Sequence, residues 1–274
     1  MRTAIGRFGV WRMVAGMTPV LAREVEALGY GAIWLGGSPK GDLNDVKAVL
    51  DATEQIAVAT GIVNMWRDDA GTVGESHRRI TGKHPGRFLL GVGIGHREAT
   101  QEYHRPFDKM IDYLDRLDAA GVPRDEVVLA ALGPRALTLA AERTAGAHPY
   151  LTTPRHTQHA RRVLGERPLL APEHKVMVGA DPARARSAGR KVVSRYLNRV
   201  NYRSNLLRDG WTEEDLLDGG SDRLVDALVL HGPAEEVAAG LATHLDSGAD
   251  HVAIQVLDED PLETYRQLSQ ALPL

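Results

Sequence analysis

The sequence predicts a (β/α)8 barrel, an α/β fold, and three observations carry that prediction. Short apolar runs alternate with helical patterns eight times over 274 residues. The runs are apolar throughout instead of alternating with polar residues, so each strand is covered on both faces, as in a parallel sheet sheathed by helices. Eight such units in this length fit a closed barrel of about 250 residues better than an open doubly wound sheet. No shift in composition marks a boundary, so residues 1–274 read as a single barrel domain.

The elements follow in order. "TAIGRFGVW" (3–11) reads as the first strand. "TPVLAREVEALG" (18–29) reads as a helix, with Thr18 as N-cap, Pro19 at the first helical position and Gly29 as the stop. "GAIWLGG" (31–37) is a second buried strand, and 42–55 a helix with Leu43, Val46, Val49 and Leu50 at helical spacing. "IAVATGIVNMW" (56–66) is a third strand, 72–86 is mostly helix, and "RFLLGVGIG" (87–95) is a fourth strand. A helix over 106–121 leads to a fifth strand, "EVVLAALG" (126–133). The helix over 134–146 opens on Pro and closes on Gly, the usual asymmetry. A sixth strand over 147–153, a helix over 155–165 and a seventh strand over 174–180 come next. The stretch 181–247 is helical throughout, with breaks at Gly210, Gly219-Gly220 and Gly232-Pro233. It reads as a helical insertion before the last strand, "HVAIQVL" (251–257), and a final helix over 261–272.

Composition narrows the function. The net charge of −3 offers no electrostatic case for nucleic acid or lipid. No apolar run approaches the roughly 18 residues a membrane span needs. The N-terminus carries no long apolar segment ending in a cleavage site, so a cytoplasmic protein is expected. The absence of cysteine excludes disulfides, thiolate metal sites, iron–sulfur ligation and cysteine nucleophiles. His156 and His159 can share a helix face but lack a third ligand, so no metal is expected. No G-x-S-x-G elbow or phosphate-binding loop is present.

Three glycines end the fourth strand in "GRFLLGVGIGH" (86–96). They do not make a dinucleotide loop. Counted from Gly91, His96 stands where the third glycine belongs; counted from Gly93, Glu98 does. Two readings remain: bare backbone at the barrel mouth for a flat ring, or relief of crowding inside a tight barrel. Trp11, Trp34 and Trp66 fall at or near the carboxyl ends of the first three strands. They are either a top core layer or a wall for an aromatic substrate. Gly133 ends the fifth strand, Pro134 starts a helix whose exposed amides favour an anion, and Arg135 adds a cation suited to phosphate; the alternative is a plain strand–turn–helix with a solvated Arg.

The segments "HPGRFLLGVGIGH", "AALGPRALTLAAERTAGAHPYL", "NRVNYRSNLLRDG" and "SGADHVAIQVL", in this order and spacing, resemble the bacterial-luciferase-like flavin and deazaflavin superfamily. The similarity runs from "FGVW" to "HVAIQVL" and is nearest to the F420-dependent oxidoreductases. It implies a homodimeric barrel that binds F420, or alternatively FMN, at the carboxyl ends of its strands. It implies a non-proline cis peptide behind the ring, here Gly61-Ile62, and a polar position at Asn64. Gly93, Ile94, Gly95 and His96 would lie near the ring, and Ala131, Leu132, Gly133, Pro134 and Arg135 near the ribityl-phosphate end. Sugar-phosphate members carry Asp-His after the second strand and Glu at the place of His96. Gly36-Gly37-Ser38 here speaks against glucose-6-phosphate, and the His and Glu of secondary-alcohol members have no clear counterpart.

F420 transfers hydride, which leaves the protein to bind, orient and supply a proton donor. His96 is the candidate acid–base, since imidazole titrates near neutrality; the alternative is a rim histidine that only hydrogen-bonds. Arg67, Asp68 and Asp69 are either substrate contacts or a solvated loop. The function expected is hydride transfer between F420 and a small organic substrate. The alternatives are an FMN-dependent monooxygenase of the same fold and a non-catalytic flavin-binding protein.

Overall fold

A computed structural model of the chain describes residues 3–95 and 105–274. Its elements run β1 (Phe8–Met13), α1 (Pro19–Ala27), β2 (Ala32–Gly36), α2 (Asn44–Ala52), β3 (Ala57–Gly61), β4 (Val63–Asn64), α3 (Ala70–Lys83) and β5 (Phe88–Gly93). They continue α4 (Pro106–Ala119), β6 (Val127–Leu129), α5 (Pro134–Arg143), β7 (Gly146–Ala147), α6 (Pro154–Leu164), β8 (Leu169–Leu170) and β9 (Glu173–Val178). The chain closes with α7 (Pro182–Leu197), α8 (Val200–Arg208), α9 (Asp222–Leu228), β10 (Val229–Gly232), α10 (Ala234–Asp246), β11 (Val252–Val256) and α11 (Leu262–Ala271).

The strands pair in the order β10-β9-β11-β1-β2-β3-β5-β6-β7-β8, with β4 on β5, and the pairing is parallel, as in β1 on β2. The path curls round so that its last strand, β8, runs on into β9. β8 and β9 are one run of chain interrupted at Ala171-Pro172. On one side the Ala171 amide donates to the Ala147 carbonyl; on the other the Ala253 amide donates to the Pro172 carbonyl. The sheet is the curled parallel sheet of a (β/α)8 barrel, as the sequence predicts.

The strand period of two splits the side chains into two layers. Phe8, Val10, Ile33, Leu35, Val58 and Leu90 join the core under the helices. Trp11, Trp34, Ala57, Ala59, Leu89 and Ala253 fill the barrel interior. Trp11 pairs with Trp34, and Trp34 with Ala59. Two indoles fit this interior because alanines surround them.

Local chemistry sets the ends as expected. The Thr18 hydroxyl accepts from the Leu21 amide at 3.1 Å and Pro19 opens α1. Gly91 answers half of the glycine question. A Cβ there would stand 1.8 Å from the Thr60 carbonyl oxygen, so close strand approach requires glycine. We expect Gly91→Ala to cost about 2–3 kcal/mol through overpacking, read as a lower urea midpoint at unchanged m-value.

Three expectations need correction. The sixth strand predicted over 147–153 stops at Ala147: Pro149 has no amide to donate, and Leu151 at φ +57° turns the chain. The stretch 181–247 is not helical throughout. Val229–Gly232 forms β10 on β9, because an apolar "LVLHG" run has no period that separates strand from helix. The third strand is broken in two at a cis Gly61-Ile62 peptide. The helices of the insertion carry a small core of their own, including Val193, Leu197, Leu206, Leu216 and Leu224.

Candidate functional site

A cavity of about 550 Å³ opens at the carboxyl ends of the strands, within the usual size of a small-molecule site. Trp11 and Met13 of β1, Gly37 and Ser38 beyond β2, and Gly61, Ile62 and Asn64 form one wall. Ile94 and Gly95 follow β5, and the chain from Ala130 to Gly133 follows β6. His148, Tyr150 and Gln255 complete the floor, while Val192, Arg195 and Tyr196 of α7 and Asn201 and Tyr202 of α8 cover the top.

Eight of the residues expected near a cofactor meet here: Gly61, Ile62, Asn64, Ile94, Gly95, Ala131, Leu132 and Gly133. Gly93 lies behind the wall, where a Cβ would meet Ala130 at 2.8 Å. Pro134 and Arg135 are not among the lining residues, and the Arg135 guanidinium stacks over Phe107 at 4.2 Å. His96 lies outside the described residues. Asn64 is pinned, because its Oδ1 accepts from the Trp66 amide at 2.9 Å.

Of the three tryptophans expected to wall the pocket, only Trp11 does so. Trp66 packs with Lys109 Nζ 5.5 Å from its ring and is not on the wall. Trp34 is fully buried beneath it. The Trp11 indole occupies the space where a side chain on Gly36 would stand, 2.0 Å from that Cβ position, and so roofs Trp34 over. Trp34 is a platform instead. Its Nε1–H donates to His251 Nε2 at 2.9 Å, His251 Nδ1–H donates to the Gly6 carbonyl at 2.9 Å, and its face stacks on His148 at 4.0 Å.

Sequence reading missed His148, Tyr150, Tyr196, Tyr202 and Gln255. The available signal was "HPY" at the end of a short strand, a polar cluster where an active-site rim belongs. His148 donates from Nδ1 to the Ala171 carbonyl at 2.6 Å, which leaves Nε2 as its free lone pair. Burial pulls its pKa down to about 4, so the ring is neutral at pH 7. Among the described residues, neither His148 Nε2 nor Trp11 Nε1 has a hydrogen-bond partner. The Tyr150 hydroxyl donates to Gln255 Oε1 at 3.0 Å, and burial lifts its pKa well above 10. Beneath it Lys175 Nζ sits 3.9 Å from the Tyr150 ring and 2.9 Å from both carboxylate oxygens of Glu173. Both charges are fully buried, and burial pushes Glu173 up and Lys175 down, each opposed by the partner.

At the far end, α5 starts at Gly133 with no side chain capping its amides. Among the described residues, a Cβ on Gly133 would meet only Arg208 Nη1, at 4.0 Å. Uncapped amides, the helix dipole and the nearby Arg208 make this corner suited to an anion, and Arg195 lines the same cavity. The walls fit a flat ring with an acidic tail. Among the described residues no cluster of His, Asp or Glu can hold a metal ion, and no helix is long and apolar enough to cross a membrane.

The buried histidines give the molecule an acid limit. His148, His251, His156 and His77 are held at about 4 and His244 at about 3, in each case by burial first. Folded values below the unfolded value of about 6.5 mean that the unfolded chain binds more protons between these limits. Stability is therefore full above pH ~6.5 and falls by about 1 kcal/mol per histidine per pH unit down to ~4. Urea midpoints that stay level from pH 7.5 to 4.5 would contradict this.

The family model for luciferase-like monooxygenases matches residues 17–251. The chain belongs to this oxidoreductase family, and its fold is the luciferase-like barrel. No curated relative matches it. An F420-dependent secondary alcohol dehydrogenase, solved with an F420-acetone adduct, superposes with a TM-score of 0.76 at 14% identity, covering 100% of this chain and 99% of that one. The coenzyme F420-dependent tetrahydromethanopterin reductase of Methanopyrus kandleri gives 0.70 at 13%, covering 98% and 99%. The FMN-bound oxygenating constituent of 3,6-diketocamphane monooxygenase from Pseudomonas putida gives 0.67 at 14%, covering 96% of each. At these identities the likeness carries the fold alone.

Proposed function

We propose that the protein is an F420-dependent oxidoreductase that transfers hydride between the deazaflavin and a small organic substrate. The observation that carries this is the cavity itself, which is lined by Gly61, Ile62, Ile94 and Gly95 and also by Gly133, where α5 begins with its amides uncapped. Arg195 on its wall and Arg208 beside Gly133 add more positive charge than one phosphate needs, which favours the polyacidic tail of F420 over FMN. When bound, the deazaflavin would supply the hydride chemistry. Gly61, Ile62, Asn64, Ile94 and Gly95 would seat its ring, and residues 131–133 its ribityl phosphate. His96, next in sequence after Gly95, is the proposed acid–base. The protein would act in the cytoplasm as a homodimer.

Fluorescence titration of the purified protein with F420 and with FMN tests the reading. F420 is expected to bind at least about tenfold tighter, a difference of ~1.4 kcal/mol. Tighter FMN binding would move the assignment to the FMN-dependent monooxygenases, for which the match to the luciferase-like monooxygenase family speaks. Turnover of F420H2 with a panel of enones separates an enzyme from a carrier.

A further inference from the structure

The corner at Gly133 is set by a side chain that does not itself line the cavity. His156, in the first turn of α6, is 2% exposed, and its Nε2 stands 3.0 Å from the Leu132 carbonyl oxygen. A carbonyl oxygen only accepts, so Nε2 carries the proton and the imidazole donates. The Leu132 carbonyl and the Gly133 amide belong to one planar trans peptide, in which C=O and N–H point in opposite directions. Holding the carbonyl on the buried His156 therefore holds the Gly133 N–H on the opposite side. Among the described residues no carbonyl accepts from that amide, and Gly133 lines the cavity.

The imidazole is anchored in turn. The His156 amide donates to Thr153 Oγ1 at 3.4 Å, and that hydroxyl donates to Asp209 Oδ2 at 2.6 Å. Asp209 follows Arg208, whose Nη1 donates to Asn205 Oδ1 at 3.3 Å and is the atom 4.0 Å from the Cβ position of Gly133. Buried groups of α6 and α8 thus place both the amide and the guanidinium of the corner. The other imidazole nitrogen gains nothing: among the described residues the buried His156 Nδ1 has no partner. An unmet buried nitrogen costs free energy, so packing alone favours an apolar ring here. The bond to Leu132 is what a histidine adds. We propose that His156 is a positioning residue for phosphate, which aims the Gly133 amide at the phosphoryl oxygens of a bound flavin or deazaflavin without touching the ligand. The inference rests on the reading of residues 131–133 as the phosphate end of the cofactor site, and it holds for either ring.

FMN and riboflavin differ by the phosphate alone, so the ratio of their dissociation constants reads this corner and cancels the ring. F420 and its phosphate-free deazariboflavin give a second such ratio. In the better-binding pair the wild type is expected to favour the phosphorylated ligand about 100-fold or more. His156→Phe should cut that preference about tenfold, the scale of one hydrogen bond to a charged group, and leave the phosphate-free ligand within about twofold. His156→Gln, whose side-chain amide can donate to the Leu132 carbonyl, should restore most of the preference. His156→Asn, which is too short to do so, should behave like Phe, and the Gln–Asn contrast carries the test if the Phe variant does not fold. A purely structural role would weaken both ligands of a pair alike and leave the ratio unchanged; that result overturns the proposal, as does an Asn variant equal to Gln. A wild type with no phosphate preference in either pair removes the phosphate placement itself, and the proposal with it. A wild-type preference that survives in every His156 variant removes the role of His156 and leaves that placement standing.

Discussion

Gly133→Phe is expected to abolish cofactor binding while leaving the barrel folded. Residue 133 has ordinary extended geometry, φ −84° and ψ 158°, so a side chain meets no backbone penalty. Among the described residues, Arg208 Nη1 at 4.0 Å is the one atom near its Cβ position, and Gly133 lines the cavity. A benzyl group there fills the corner where the α5 amides would meet a phosphate and keeps the anion off them. Loss of the amide and helix-dipole contacts, together with steric exclusion, should raise the dissociation constant of F420 or FMN at least about 100-fold, or ~2.7 kcal/mol. The melting temperature should stay within a few degrees of wild type. Unchanged affinity in a folded variant would show that the acidic end of the ligand lies elsewhere. Gly133→Ala, with its smaller intrusion, should give an intermediate loss.

The second large effect concerns stability. Lys175→Met leaves the Glu173 carboxylate with its charge uncompensated in the barrel, where, among the described residues, its Oε2 keeps the Leu151 amide at 3.2 Å. Breaking a fully buried pair in this way typically costs about 3–5 kcal/mol. The unfolding midpoint should fall accordingly, and the loss should shrink at acid pH, where Glu173 takes a proton and becomes neutral. That sign follows from burial raising the Glu173 pKa. The double variant Glu173→Leu/Lys175→Met removes both charges and should recover at least half of the loss, since apolar replacement of buried pairs is often neutral. A double variant as unstable as the single one would mean that the pair is held for packing of Tyr150 over Lys175 and not for charge balance.

The site was legible in part. Gly95 and Gly133 could be marked because they sit at strand ends, and strand ends form the mouth of a barrel, whereas Gly61 and Asn64 were marked through the family resemblance alone. The glycines of "GVGIG" divide between the two readings the sequence left open. Gly91 answers to the Thr60 carbonyl behind it, and Gly95 to the cavity. Trp34 was misplaced because its position along the strand does not reveal that Trp11 folds over Gly36 and closes it in. Arg135 was taken for the phosphate cation, yet its place one residue into α5 turns it toward Phe107, while Arg195 reaches the cavity from 60 positions further along the chain.

The alternation of apolar runs with capped, amphipathic helices was enough to determine the barrel, because each run must be buried on both faces and a parallel sheet sheathed by helices does that. Proline and glycine at helix ends placed most boundaries for equally local reasons. Tertiary structure alone decided what lines the pocket. Tyr150, Tyr196 and Tyr202 meet over Lys175 only because α7 and α8 fold back across the mouth. Likewise, His148 becomes a fixed acceptor only once Ala171 and Trp34 hold its ring. Contacts between distant segments depend on how whole elements pack, and no period or spacing within a single element records that.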